Sequence, residues 1–278
     1  MGQQEYFQLN ENDISVLKEN GCWAEDWSNI HVSEKFDPKR VSAVEFKGQI
    51  KIGALDGKIE MPDGSKKNSG IFRAKLSNVT IGDNCLISNV NIELSNLIIG
   101  SGVVIENVGK IACIGETSFG NGHEISVLNE AGGRELKITK NTSAQIAYMT
   151  VAYRDNKKLI TKLNDISTDY SNTIKSNKAA VGKNAKIFNC NKIINVSIGE
   201  SAVIDGALSL KEGTVDSSED APTLVGDGVI AEHFIFQKGA KITDSAILSS
   251  TLIGQGSQAG KMFSAENCVL FANSEGFH

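Results

Sequence analysis

Residues 81–90 read IGDNCLISNV and residues 99–108 read IGSGVVIENV, so nearly the same decapeptide recurs eighteen positions later. The copies share the opening Ile-Gly, the Ile in seventh place, the Asn in ninth place and the Val in tenth place. Looser copies follow at FGNGHEISVL (119–128), VGKNAKIFNC (181–190), IGESAVIDGA (198–207), VGDGVIAEHF (225–234) and IGQGSQAGKM (253–262). A short period that drifts along the chain indicates a solenoid with loops inserted between its coils.

Each copy contains short segments of alternating apolar residues, such as Val79-Thr80-Ile81 and Val103-Val104-Ile105. Alternate side chains of a strand face opposite sides, and Gly followed by Asn or Asp supplies a tight turn. Three units of about six residues make one triangular coil. We therefore predict stacked coils with parallel strand pairing, in which Ile81 lies next to Ile99 on the adjacent level.

The composition of the chain bounds its class. Its 278 residues, 40% of them hydrophobic, suffice for one extended domain or two compact ones, and 27 Gly against 3 Pro favour many tight turns. The net charge is −5 with both signs interspersed, which predicts no nucleic-acid partner. The sequence shows neither a membrane-spanning apolar run nor a secretory signal, so we expect no membrane association and a cytoplasmic location.

The cysteines carry no metal or disulfide signature. All five are single and lack C-x-x-C spacing, so we expect buried, inert thiols. No metal-ligand cluster, P-loop or Ser nucleophile elbow occurs in the sequence, and we predict no metal and no permanently bound cofactor. The five are Cys22, Cys85, Cys113, Cys190 and Cys268.

The first seventy residues depart from the repeat. NENDISVLKENG (10–21) predicts a short helix with Asn10 as its N-cap and Gly21 after its end. An alternating strand from Val41 and a polar turn from Met61 follow. We predict an N-terminal α/β cap over residues 1–70.

A second departure covers residues 139–178. Ser143 predicts the start of one helix, and apolar residues at helical spacing predict a second: Leu159, Leu163, Ile166, Tyr170 and Ile174. We therefore expect a helical hairpin inserted between two solenoid parts, residues 71–138 and 179–278. The hairpin either packs on the solenoid or a neighbouring subunit, which an apolar stripe favours, or covers a functional site.

His123 is the candidate catalytic residue. Acyl transfer needs a general base, usually His, and His123 stands where the repeat has Cys85 and Val103. A bulky polar residue there breaks the local rule, as functional residues often do. His233 reads as a surface turn residue. The other interpretation of His123 is a ring whose hydrogen bonds are satisfied at a coil corner.

The segment NEAGGRE (129–135) is the candidate substrate-binding motif. Gly132 and Gly133 allow close approach of a ligand to the backbone, and Arg134 could bind a phosphate or carboxylate. Asn129 and Glu130 complete this set. The alternative is a tight turn in which Arg134 pairs with Glu130 or Glu135.

The decapeptide copies resemble the hexapeptide-repeat superfamily, which includes the UDP-N-acetylglucosamine acyltransferases. The resemblance implies an all-β solenoid, specifically a left-handed parallel β-helix, and a homotrimer. It also implies acyl transfer from acyl-CoA or acyl carrier protein to a nucleotide sugar or a similar anionic small molecule. In that reading His123 is the base and Arg134 binds the anion.

Four further segments resemble an uncharacterised family of large bacterial hexapeptide-repeat proteins. This resemblance spans the chain and implies the N-terminal part of a longer protein, but no function. A non-catalytic β-helical scaffold or oligomerisation module therefore remains the alternative, as does an accessory domain of a sugar nucleotidyltransferase. The segments are NGCWAEDW (20–27), SVLNEAGGRE (126–135), SAQIAY (143–148) and FANSEGF (271–277).

Overall fold

The structure is a computed structural model that describes residues 5–61, 63–128 and 132–277. Over these residues the protein is mostly β, and twenty strands join one long sheet. The first twelve strands are β1 (Phe7–Gln8), β2 (Trp23–Ala24), β3 (Ile30–Val32), β4 (Val41–Lys47), β5 (Ile50–Ile52), β6 (Lys58–Glu60), β7 (Lys66–Asn68), β8 (Gly70–Ile81), β9 (Leu86–Ile99), β10 (Val104–Ala112), β11 (His123–Ser126) and β12 (Glu135–Ile138).

The remaining strands and the helices complete the chain. The strands are β13 (Ala179–Val181), β14 (Lys186–Phe188), β15 (Lys192–Ile198), β16 (Val203–Asp205), β17 (Ser209–Val215), β18 (Leu224–Val225), β19 (Ile230–Phe236), β20 (Lys241–Ile242), β21 (Ile247–Ile253), β22 (Gln258–Ala259), β23 (Ser264–Leu270) and β24 (Glu275–Gly276). The α-helices are α1 (Glu11–Glu19), α2 (Ala144–Ala152) and α3 (Lys157–Thr173), and 3-10 turns span Trp27–Asn29 and Pro38–Arg40.

The long sheet is a stack of parallel levels. Ile81 of β8 lies opposite Ile99 of β9 in parallel register, which confirms that the two repeats stack on adjacent levels. Both side chains are buried in the main core. The first column of aligned residues is Val32, Ile52, Ile81, Ile99, Val181, Ile198, Val215, Phe236, Ile253 and Leu270.

Two further columns run beside the first, so each complete level contributes three parallel segments. The second column includes Ile87, Ile105, Ile187, Ile204 and Val225, and the third includes Leu76, Leu94, Ile111, Ile193 and Leu210. Val225 begins a sequence copy but occupies the second column, one segment out of phase with Ile81. A six-residue pattern looks alike in all three columns, so the sequence alone does not assign a copy to its column.

At seven levels, one residue between the third and first columns has a backbone in the left-handed region, with φ from 45° to 57°. Such φ values are uncommon for residues other than Gly, with Asn the usual exception. We call these residues the corner row: Asn78, Asn96, Asn195, Glu212, His233, Ser250 and Asn267.

The chain leaves the stack after Ala112 and returns at Ala179. Leu97 pairs with Ala179, and Ala112 pairs with Ile194 on the next level, so residues 113–178 depart beside the corner row. Both α2 and α3 lie in this insertion. FGNGHEISVL (119–128) was predicted as a coil of the solenoid, but its strand β11 pairs only with β12, in an antiparallel hairpin outside the stack. His123 therefore does not share the environment of Cys85 and Val103.

The insertion packs on the outer face of the stack. Ile125, Leu136 and Val151 form a second apolar core with Ile235 and Leu252, which point outward from β19 and β21. The predicted apolar stripe lies on α3 and is not part of this second core, and its residue Ile166 is 61% exposed, so the packing of the stripe stays a prediction.

In the N-terminal segment, helix α1 begins and ends where the sequence predicts. The Asn10 Oδ1 atom accepts a hydrogen bond from the Asp13 backbone N–H at 2.8 Å and so caps α1, and Gly21 follows the helix with φ 75°. Strands β6 and β7 form a hairpin near the outer residues Leu86 and Val104. Among the described residues, no helix is both long and apolar enough to cross a membrane.

Candidate functional site

The site is built around His123, the first residue of β11. Its imidazole ring lies nearly parallel to that of His233, with centroids 4.3 Å apart. Its Nε2 atom lies 3.0 Å from the Oγ atom of Ser250. His233 and Ser250 belong to successive levels of the corner row, so one ring of the insertion spans two levels of the stack.

The environment lowers the pKa of His123. Burial of the ring is the main cause, because it disfavours the charged form, and the charge of His233 adds to it. The neutral imidazole is therefore favoured near pH 7, which is the form that can accept a proton.

A cleft of about 460 Å³, which we call the histidine cleft, opens beside the two rings. The Lys137 ammonium lines it and donates a hydrogen bond to the Thr168 Oγ1 atom at 3.0 Å, and Lys175 also lines it. Across the cleft, the Glu212 carboxylate accepts hydrogen bonds from the Thr117 hydroxyl, at 2.7 Å, and from the Asn195 amide. The cleft thus combines two imidazoles, two ammonium groups and the carboxylates of Glu116 and Glu212, of which that of Glu212 is held in place by Thr117 and Asn195.

The corner row binds the insertion at five successive levels. The Asn195 side chain accepts from the Ile114 N–H at 2.6 Å and donates to the Ile114 carbonyl at 3.2 Å. Glu212, His233 and Ser250 make the contacts described above, and Asn267 accepts from the Ser126 N–H at 3.4 Å. The row therefore also has a structural role, because it attaches residues 114–126 to the stack.

His233 and Ser250 were not predicted as neighbours of His123, although aligned segments of the repeat contain a signal for them. Segments such as LSNVTI (76–81), LSNLII (94–99) and IINVSI (193–198) align with LKEGTV (210–215), AEHFIF (231–236) and LSSTLI (248–253). Asn occupies third place in the first three, whereas Glu, His and Ser replace it in the last three. Those replacements face the insertion.

The NEAGGRE motif lies elsewhere. Asn129 and Glu130 fall outside the described residues. Gly132 and Gly133, with φ of 86° and 95°, lie between β11 and β12, and Arg134 is exposed beside them. Because His123 pairs with Ile138 at the other end of the hairpin, about four residues or roughly 13 Å away, the structure does not bring Arg134 to His123.

Glu135 has a different partner from the one considered for the turn. Its carboxylate accepts hydrogen bonds from the Gly133 N–H and from the Arg154 guanidinium, the latter at 3.1 Å. The Gly133 hydrogen bond is the largest cause of the lowered pKa of Glu135. This carboxylate fixes the end of the hairpin to the end of α2.

The thiols lie in apolar surroundings. Cys22, Cys85, Cys113 and Cys190 are buried, and Cys268 is half-buried. Burial raises the pKa of Cys85 and of Cys190 to about 12. Neither thiol is ionised near neutral pH, so neither is a nucleophile.

Two comparisons relate the chain to known sequences. A family model described as "Domain of unknown function (DUF4954)" matches residues 6–278. The chain is also 24% identical over 245 residues to an uncharacterized protein of Treponema pallidum (strain Nichols), an alignment that covers 84% of this chain and 34% of that protein. The chain thus spans about a third of the length of this relative.

Proposed function

The chain belongs to the family described as "Domain of unknown function (DUF4954)", a description that gives no activity, and from the geometry of the site around His123 we propose that it is a transferase of the hexapeptide-repeat type. The proposed reaction moves an acyl group from a thioester to a hydroxyl or amine of a nucleotide sugar or similar anionic metabolite. One observation carries the proposal: the imidazole of His123, whose pKa is lowered, borders the histidine cleft, which two lysines also line.

We further propose that the stacked levels form a left-handed parallel β-helix. Three parallel segments per level, and eighteen residues between Ile81 and Ile99, support a coil built from hexapeptides. The left hand follows from the resemblance to the superfamily, since ordinary parallel crossovers are right-handed. A homotrimer follows from the same resemblance.

His123 would act as the general base. It would take the proton from the acceptor hydroxyl or amine as that atom forms a bond to the acyl carbon and the carbon–sulfur bond breaks. The thiolate leaving group would then receive the same proton from His123. Because Nε2 contacts the Ser250 hydroxyl, the acceptor would have to replace that hydroxyl as the partner of the imidazole.

The lysines of the cleft are the groups that would bind an anionic acceptor. Lys137 and Lys175 line the cleft together with Glu116 and Glu212, and the Glu212 carboxylate is already bound by Thr117 and Asn195. A phosphate or carboxylate of the acceptor would lie near the ammonium groups, where charge-assisted hydrogen bonds are strongest. Arg134, at the far end of the hairpin, has no part in this arrangement.

The second candidate is a non-catalytic scaffold. The observation that favours it is that the ring contact with His233 and the hydrogen bond to Ser250 also attach the insertion to the stack. In that case His123 is a structural residue, and the regular levels present a surface for other parts of a longer protein.

An acyl-transfer assay separates the two candidates. The purified chain is mixed with acyl-CoAs of several chain lengths and a panel of nucleotide sugars, and release of the CoA thiol is followed. For a transferase, His123→Ala should reduce the rate by about 10²–10⁴-fold, whereas the matched variant His31→Ala should retain it.

A thermal-shift screen with the same compounds provides the second readout, because a ligand that binds the folded state raises its apparent stability. If no pair of compounds releases the thiol and none raises the Tm, the transferase proposal fails and the scaffold is favoured. Full activity of His123→Ala would remove His123 as the base.

A further inference from the structure

A cavity lined mostly by residues of the insertion lies away from His123. It has a volume of about 660 Å³ and is enclosed by the β11–β12 hairpin, helix α2 and strand β23. Its lining is mostly apolar and includes Leu128, Leu136, Tyr148, Val151, Val269 and Phe271. Leu128 and Tyr148 are 67% and 63% exposed, which is high for side chains of this size and leaves apolar surface open to a ligand.

A second, polar cavity of about 340 Å³ lies beside the first. The two share Ala144, Val269 and Phe271 in their walls. Lys140 and Lys238 line the polar part, together with Asp216, and among the described residues neither ammonium group forms an ion pair. We call the larger cavity the apolar cleft and the smaller one the polar cleft.

We propose that the two clefts together bind an amphiphile, an acyl chain that carries an anionic head group. The chain lies in the apolar cleft, and the head lies in the polar cleft near Lys140 and Lys238. Volumes of this size are typical of small-molecule sites with apolar walls and a few polar groups that fix the orientation.

The distribution of charge determines which end of the amphiphile lies in which cleft. Glu266 lines the apolar cleft, so an anionic head placed there would meet a like charge. The lysines offer the opposite charge in the polar cleft, where Asp216 accounts for only one negative charge against two positive ones. A carboxylate head and a phosphate head share the chemistry that this site recognises.

This site does not depend on the proposed acyl transfer. His123 lines neither cleft, and the amphiphile is a ligand of the insertion and the last levels. Loss of amphiphile binding and loss of transferase activity are therefore separate outcomes.

Cys268 provides a probe of the apolar cleft. Cys268 is one of the residues that line the cleft and is half-buried, whereas the other four cysteines are buried. Alkylation of the native chain by iodoacetamide at mildly alkaline pH should therefore occur at Cys268 first. Mass spectrometry of peptides gives the rate at this residue alone, and the urea-unfolded chain reports all five thiols.

The experiment compares ligands below their micelle concentrations. Dodecanoate and dodecyl phosphate should each slow alkylation of Cys268 about fivefold or more near saturation. Only the unoccupied form of the protein reacts, and its share falls by the factor 1 + [L]/Kd. Dodecanol should need a higher concentration, and butyrate should have no effect. The concentrations of dodecanoate and dodecyl phosphate that give half protection distinguish a carboxylate ligand from a phosphate ligand.

Two sets of variants test the two halves of the site. Lys140→Gln combined with Lys238→Gln should raise the half-protecting concentration of dodecanoate about tenfold and leave that of dodecanol unchanged. Lys192→Gln, on a different part of the stack, is the matched control and should change neither. Val151→Phe, which narrows the apolar cleft, should weaken protection by all the long-chain ligands.

The absence of any heat of binding for dodecanoate and dodecyl phosphate, together with an unchanged alkylation rate, would overturn the proposal. Equal protection by dodecanol and dodecanoate, in the native chain, would overturn the anionic head group. Thermal unfolding of each variant shows whether it is folded, and direct calorimetric titration of dodecanoate into the unmodified chain tests binding without any substitution.

Discussion

The imidazole rings of His123 and His233 lie nearly parallel, 4.3 Å apart between centroids and 9° apart between planes. One ring belongs to the insertion and the other to the corner row, so the contact joins two parts that are 110 residues apart in sequence. Protonation of one ring disfavours protonation of the other, because like charges at this distance repel. The attachment of the insertion should therefore respond to pH near the ordinary range of histidine.

The free energy of unfolding should decrease as the pH falls below neutrality. The pKa of His123 in the folded chain is lower than the ordinary value of 6.5, first because of burial and then because of His233. Below about pH 6.5 the unfolded chain consequently binds more protons than the folded chain, and folding loses stability until the pH reaches the lower, folded-state pKa. Urea denaturation at several pH values between about 5 and 8 measures this slope.

The same experiment on variants assigns the effect to the ring pair. His123→Gln removes the group with the lowered pKa, so this variant should lose part of the pH dependence. His233→Gln should lose a smaller part, because it removes only the repulsion. His31→Gln is the control and should retain the slope; an unchanged slope in His123→Gln contradicts the assignment.

Asn195 should be needed to hold the start of the insertion. Its buried amide makes two hydrogen bonds to the Ile114 backbone, and its φ of 57° lies in the left-handed region. Asn195→Gly preserves that backbone conformation and removes only the amide, which should cost about 1–3 kcal/mol. Urea denaturation measures the cost, and hydrogen exchange at the Ile114 amide measures local opening.

Asn273→Gly is the matched control for that variant. Asn273 also has a positive φ, of 57°, but its side chain is exposed. Its replacement should change the free energy of unfolding by only a few tenths of a kcal/mol. Equal losses in the two variants would mean that the contact with Ile114 contributes nothing specific.

The repeat made the stacked strands predictable, because parallel columns need similar apolar side chains at every level. The departure at Phe119 was not predictable from the local pattern. Ile111 already has Leu94 and Ile193 as its neighbours in the third column, so the stack leaves no level for the FGNGHEISVL copy. Local sequence cannot report that a position in the stack is already filled, and the contact between His123 and His233 depends on that fact.

Ile99 and its neighbour Ile98 test which face of the strand carries the stability. Ile99 is 2% exposed and points into the main core, whereas Ile98 is 49% exposed. Ile99→Ala should destabilise the chain by about 2–5 kcal/mol, because it leaves a cavity between Ile81 and Val181. Ile98→Ala should cost less than about 1 kcal/mol. Urea denaturation followed by circular dichroism compares the two, and similar costs would contradict the assigned register.

Gly120 should tolerate no side chain, because the insertion approaches the backbone of the stack closely there. A Cβ atom at Gly120 would lie 2.7 Å from the Glu212 carbonyl oxygen and 2.8 Å from the Phe234 carbonyl oxygen, and its φ is +77°. Gly120→Ala combines backbone contacts that cannot move aside with a conformation that costs about 1–2 kcal/mol. Gly115, with φ of +71° and no described atom within 4 Å of the position that a Cβ would take, carries the conformational cost alone.

Gly115→Ala should therefore lower the free energy of unfolding by about 1 kcal/mol, and Gly120→Ala should lower it by at least twice as much. Trypsin cleavage between residues 113 and 178 should be accelerated only in Gly120→Ala. Equal proteolysis of the two variants would show that the insertion does not depend on this close approach.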